Sequence, residues 1–202
     1  MNYNLKYYYA LFLLLFWHLY ILLCYASPSV SDMYYQYYIN GSIQKWNRGV
    51  GSKYLFGDLI DFRKGGNSSL YVLGGFSGQE KKGTWTCSEY IYIYLRPNTE
   101  TKYDINLYMS AVPFLNEKHQ NQYIEVIVNE VIVKKINYTL GEIGQNIQVI
   151  RVNNDIINSN KGNIVVKIRA KGLVSPWELG LSDDTRKLGV YVESIMLKEV
   201  EK

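Results

Sequence analysis

Four charged side chains and two tryptophans stand at positions suited to recognising a polyhydroxylated ligand. Glu80 and Trp85 follow the glycine-rich run Gly74-Gly75-Phe76-Ser77-Gly78-Gln79, and Trp177, Glu178, Asp184 and Arg186 fall within SPWELGLSDDTRKLG at 175–189. An aromatic face stacks on the apolar side of a sugar ring, while carboxylates and a guanidinium offer paired acceptors or donors at the spacing of vicinal hydroxyls. The expected glycan-binding set is therefore Glu80, Trp85, Trp177, Glu178, Asp184 and Arg186. The same residues admit a structural reading, with a Glu80–Arg186 ion pair pinning two segments, Trp85 in the core and Trp177 as either a buried lid or an exposed platform. A partly buried pair of that kind fixes geometry more than it adds net stability. Both readings require Arg186 to approach Glu80.

Catalysis has little material to work with. His119 is the only histidine beyond the N-terminal apolar run and sits in the polar stretch Asn116-Glu117-Lys118-His119-Gln120-Asn121, so neither a Ser-His-Asp triad nor a histidine metal site can be assembled. Glu80, Glu178, Asp183 and Asp184 are the carboxylates that glycoside hydrolysis would have to use, at a separation of roughly 5–9 Å that sequence does not supply. Asp58, Asp61 and the Asp183-Asp184 pair are possible calcium ligands, but no EF-hand spacing is present. Cys87 stands alone outside the N-terminal segment, which excludes an intrachain disulfide and a cysteine metal site in the folded part. The expectation is a non-enzyme with no cofactor and no metal, any catalysis coming from a partner.

The elements that must position these residues read as strands. Apolar alternation with turn residues between recurs at 58–62, 70–73, 90–96, 103–109, 123–129, 131–136, 147–152, 164–170 and 188–197, and no long helical period appears. Within 90–96, Ile91, Ile93 and Leu95 face a core, and Tyr90, Tyr92, Tyr94 and Arg96 form an outward row, either a flat glycan platform or cross-strand packing. Asn129-Glu130 is a tight hairpin connection of uncertain turn type. Many short strands with frequent turns argue for an all-β antiparallel jelly-roll-like β-sandwich, preceded by one N-terminal hydrophobic helix.

Composition agrees with a folded β domain. Of 202 residues, 48% are apolar and 20% charged, enough for a sizeable core, and 20 tyrosines suit strands. The net charge of +4 is scattered among acidic residues; Lys81-Lys82 and Lys134-Lys135 are short hairpin or edge-strand clusters. A nucleic-acid partner, which needs a basic stripe for phosphate contacts, is excluded. Residues 7–26 carry no formal charge and follow Lys6. About 20 such residues suffice for a bilayer span, and positive charge stays inside. The expected organisation is a signal peptide or membrane anchor at 1–26, a tyrosine-rich juxtamembrane linker at 27–53 and a β-sandwich at 54–202, on the extracytoplasmic face of the cytoplasmic membrane or exported after cleavage.

Three blocks taken together, GGFSGQE with Trp85-Thr86, then Val126-Ile127-Val128-Asn129, then Ser175-Pro176-Trp177-Glu178-Leu179-Gly180 through Asp184-Thr185-Arg186-Lys187-Leu188-Gly189-Val190, resemble a known family. They look like the β-sandwich domain, similar in shape to carbohydrate-binding modules, that follows the membrane part of bacterial phosphoglycerol transferases and cell-envelope glycosyltransferases. The resemblance covers residues 54–198. It implies an extracytoplasmic accessory domain that binds or presents a cell-envelope glycan, with a membrane-embedded transferase as the partner that carries the catalytic machinery. A competing expectation is a structural or interaction module docking on a membrane protein.

Overall fold

The computed structural model describes residues 3–25, 52–99, 101–141, 147–160 and 162–200. The chain divides into two compact units, 1–32 and 33–202. The first holds helix α1 (Tyr3–Tyr25). Its side chains from Lys6 to Ile21 are exposed, and the His18 ring nitrogen Nδ1 pairs with the Leu14 carbonyl at 2.8 Å. No helix among the described residues is long and apolar enough to cross a membrane. Tyr7, Tyr8, Tyr9, His18 and Tyr20 dilute the aliphatic run, which the charge count alone had concealed. The expected linker at 27–53 lies outside the described residues except for Ser52 and Lys53.

The second unit is a two-sheet β-sandwich of jelly-roll-like form. Its strands are β1 (Lys53–Tyr54), β2 (Leu59–Asp61), β3 (Val72–Gly74), β4 (Thr84–Trp85), β5 (Tyr90–Pro97), β6 (Ile105–Pro113), β7 (Asn121–Val128), β8 (Val131–Thr139), β9 (Ile147–Val152), β10 (Ile164–Lys171) and β11 (Val190–Glu199). One sheet runs β1-β5-β10-β7-β8 with β3 also on β5, and the other runs β2-β11-β6-β9 with β4 also on β11. Pairing is antiparallel except for the short β1–β5 contact, which is parallel. A 3₁₀ turn at Ser68–Leu70 and a short helix α2 (Asn154–Asn158) fill connections.

The alternation read from sequence puts side chains where a sandwich needs them. Ile91, Ile93 and Leu95 of β5, Ile105, Leu107 and Met109 of β6, and Ile164, Val166 and Ile168 of β10 meet in one core between the sheets. Burying each such side chain contributes roughly 1.5–3 kcal/mol. Tyr54 closes one end: its hydroxyl donates to the Asp58 carbonyl at 2.7 Å and accepts the Leu197 amide at 2.9 Å. Burial pushes that phenol up to about 12.

Of the two readings of the outward tyrosine row the structure takes cross-strand packing: Tyr92 is fully buried in a second cluster with Leu73 and Val165, against which Tyr90 and Tyr94 pack. Leu73 comes from β3, which pairs alongside β5, and the Lys167 ammonium of β10 lies over the Tyr90 and Tyr92 rings at 4.7 and 5.3 Å. The 129–130 hairpin has a defined form: Asn129 and Glu130 both take positive φ, 45° and 66°, the two-residue geometry that matches the twist of its strands. Asn129 suits it, since its amide donates to the Ile156, Ile157 and Asn163 carbonyls and its Oδ1 accepts the Val165 amide at 2.9 Å.

Candidate functional site

Strand β11 organises the candidate site. Val190 and Val192 face the core, and so do Ile195 and Leu197, so the alternation changes phase at a β-bulge between Val192 and Ser194. The bulge leaves Glu193 beside Tyr191 on the outer side, where Glu193 Oε2 accepts the Ser110 hydroxyl at 2.8 Å. Strand β4 docks against the same stretch, with Trp85 opposite Tyr191 and Thr84 opposite Val192. Gly83 is required there, because a Cβ would come within 2.4 Å of the Val192 carbonyl oxygen.

Trp85 is half-buried. Its ring meets Tyr191 at 4.8 Å between centroids and Phe114 edge-on at 5.7 Å. It is neither wholly core nor a free platform, and with Tyr191 and Val112 it floors an open cleft of about 470 Å³ whose rim carries Glu80, Lys81, Lys82 and Glu193.

Arg186 approaches Glu80 as the two-segment geometry requires, with Nη1 3.1 Å from Glu80 Oε1. It also forks onto Asp184, with Nε at 3.0 Å from Oδ1 and Nη2 at 2.7 Å from Oδ2. That fork holds the Asp184 carboxyl below its ordinary range and the Arg186 guanidinium above its own. All three side chains are partly exposed, so the network aligns two loops and adds little net stability. The geometry is unfavourable for acid catalysis. A general acid needs a raised pKa, whereas Asp184 is pulled the other way.

Trp177 and Glu178 belong to a different arrangement. Ser175 Oγ accepts the Glu178 amide at 3.1 Å and Glu178 Oε2 accepts the Ser175 amide at 2.9 Å, a reciprocal capping box around one tight turn. The Ser175 amide is the main cause of a lowered Glu178 pKa, and Lys187 Nζ stands 3.6 Å from the other carboxylate oxygen. Glu178 thus has a local structural job. Trp177 is the exposed alternative, 62% accessible, and the turn beneath it is tied to the Asp184 carbonyl through the Trp177 amide at 2.9 Å. Its ring is not among the residues lining the cleft.

The structure therefore joins Glu80, Trp85, Asp184 and Arg186 at one end of the sandwich and sets Trp177 and Glu178 on the adjoining turn. Sequence reasoning missed Tyr191, Val112, Lys82 and Glu193. The one sequence signal for them was the phase slip between Val192 and Ile195; the rest depends on which strand β4 chooses. The remaining chemistry-bearing residues are quiet. His119 packs near Phe114 and shares a hydrogen bond with Gln122 at 3.3 Å, and Cys87 is a free, half-buried thiol that burial pushes up. Among the described residues no group of three His, Cys, Asp or Glu side chains is placed to hold a metal.

No protein-family model matches the sequence, and no curated protein matches it. Solved structures match in part. A GH26-CBM35 β-(1,4)-mannanase from Podospora anserina is similar at 11% identity over 72% of this chain and 28% of that one, with a TM-score of 0.40. A carbohydrate-binding module, CBM36, in complex with calcium and xylotriose is similar at 14% identity over 70% of this chain and 99% of that one, with a TM-score of 0.31. The insecticidal delta-endotoxin Cry8Ea1 from Bacillus thuringiensis is similar at 12% identity over 55% of this chain and 18% of that one, with a TM-score of 0.33. The chain spans less than a third of the length of the mannanase and of the endotoxin. At such values the ligand of this chain is a matter for its own residues.

Proposed function

We propose that the β-sandwich is a non-catalytic module that binds a cell-envelope glycan in the cleft floored by Trp85 and Tyr191. The observation that carries this reading is the combination in one open cleft of an aromatic floor with a rim of both charge signs, braced by the Glu80–Arg186–Asp184 network. Ring faces take the apolar side of a sugar, and charged rim groups take hydroxyl, amine or phosphate substituents. An export role for the uncharged run at 7–26 behind Lys6 supports an extracytoplasmic location. A polytopic envelope transferase is the class of partner that the sequence resemblance supports.

The test is glycan-array and calorimetric binding by the full chain. Trp85→Ala and Arg186→Gln are expected to weaken binding while leaving the melting transition cooperative. A folded wild-type chain that binds no envelope glycan, or one whose binding ignores Trp85→Ala, refutes the reading. A second reading, an interaction module docking on a membrane protein, is favoured by the exposed Trp177 and Leu181 on their braced turn. Co-purification with a polytopic transferase that is lost in Trp177→Ala, without glycan binding, would establish it.

A further inference from the structure

A second concavity differs from the Trp85 cleft in chemistry. The 79–85 segment contributes to both: Glu80, Lys81, Lys82 and Trp85 line the charged cleft, whereas Gln79 and Thr84 line a half-enclosed cavity of about 460 Å³. Its other walls include Phe62, Ser69, Phe76 and Ser77. Among the described residues that line it, none is ionisable. The volume falls within the range of roughly 300–1,000 Å³ usual for small-molecule sites.

The cavity is held open by specific bonds. The Lys64 amide donates to the Glu80 carbonyl at 2.8 Å and Thr84 Oγ1 donates to the Phe62 carbonyl at 2.7 Å, tying the two loops at their bases. Asn67 braces the first loop, its Oδ1 accepting the Asp61 amide and its Nδ2 donating to the Leu59 carbonyl. Gly66 makes the bend possible, since a Cβ there would stand 2.3 Å from the Asp61 carbonyl oxygen. Phe76, half-buried, gives the cavity its apolar wall and is backed by the buried Phe62 at 4.9 Å between centroids. Gln79 Nε2 is committed to the buried Ser68 Oγ at 2.9 Å and to the Gly66 carbonyl at 3.3 Å. The amide is thereby fixed, with Oε1 as its acceptor.

We infer that this cavity is a binding site for a neutral polyhydroxylated ligand, a single uncharged pyranose or furanose unit. The apolar Phe76 wall faces the ring carbons, and Ser69, Ser77 and Gln79 supply neutral donors and acceptors for hydroxyls. A charged sugar is disfavoured, because no side chain lining the cavity compensates a charge moved out of water. The site is separate from the Trp85 cleft and does not depend on the glycan reading given to it.

The experiment is saturation-transfer NMR and calorimetry on the full chain with methyl glycosides of glucose, mannose and xylose, beside glucuronate and glucosamine. Neutral glycosides are expected to bind in preference to both charged sugars, with an affinity that is flat from pH 5 to 9. Gln79→Ala is expected to weaken them about three- to tenfold. Ser69→Phe, which fills the cavity, should abolish binding. No binding by a folded wild-type chain, preference for a charged sugar, or binding indifferent to both Gln79→Ala and Ser69→Phe overturns the inference. Loss in Trp85→Ala alone would assign the binding to the cleft and likewise overturn it here. Should Ser69→Phe fail to fold, Gln79→Ala decides.

Discussion

Thr86→Val tests the joint on which the candidate site depends. Thr86 is fully buried, and its Oγ1 accepts the Val190 amide at 2.9 Å, while the Thr86 amide donates to the Val190 carbonyl at the same distance. This pair fastens the segment bearing Glu80 and Trp85 to the start of β11. The surroundings are tight: a Cβ at Gly189 would lie 2.7 Å from Thr86 Oγ1. Valine keeps the shape but removes the acceptor, leaving the Val190 amide buried without its partner, at a cost of about 1–3 kcal/mol. For a chain of this length about 1 kcal/mol moves the melting temperature by roughly 2–4 °C, so a fall of about 2–12 °C is expected. Thr86→Ser is the control, since it retains the acceptor and loses one methyl worth about 0.8 kcal/mol. Calorimetry gives both values, and the near-ultraviolet signal of Trp85 against Tyr191 reports the joint directly. If Thr86→Val is as stable as Thr86→Ser, the hydroxyl does not hold β4 to β11 and the reasoning fails.

Three further outcomes follow from the same geometry. Gly83→Ala should destabilise by about 1–3 kcal/mol in urea unfolding, because its Cβ would press on the Val192 carbonyl oxygen and push β4 away from β11; an unchanged midpoint would mean that the strands part freely. Glu130→Gly should stabilise by about 1 kcal/mol, relieving a left-handed backbone at φ 66° that costs a side-chain-bearing residue roughly 1–2 kcal/mol, and a lower urea midpoint would contradict that. Glu178 and Asp184 have lowered folded-state pKa values, so the stability they contribute is complete above their unfolded values near pH 4 and is lost as pH falls through the lower folded ones. Equilibrium unfolding from pH 6 to 2 should show that loss below about pH 4, with a shallower slope in Glu178→Gln; an identical slope would remove Glu178 from the account.

The strands and the inward faces were legible in the chain because a half-buried strand needs apolar side chains at every second position. Ile91, Ile93 and Leu95 announced β5, and Ile164, Val166 and Ile168 announced β10. The same periodicity could not say what covers an outward face. That is why the tyrosine row at 90–94 admits both a platform and cross-strand packing in sequence, and only the placement of Leu73, Val165 and Lys167 against it decides for packing. Nor does a residue list show that a candidate ligand contact also closes a capping box, as Glu178 does by accepting the Ser175 amide.

For the candidate site, sequence alone determined that Glu80 and Arg186 carry opposite charges on two loops able to meet, since residue type and turn chemistry are local properties. Only the tertiary structure decided that β4 pairs with β11, and from that pairing come Tyr191 against Trp85, Glu193 at the bulge, and the sharing of 79–85 between a charged cleft and a neutral cavity. The physical reason is that strand partnership is a long-range choice, made by shape and hydrogen bonding between segments about a hundred residues apart, as Thr86 and Val190 are, and no local pattern encodes it.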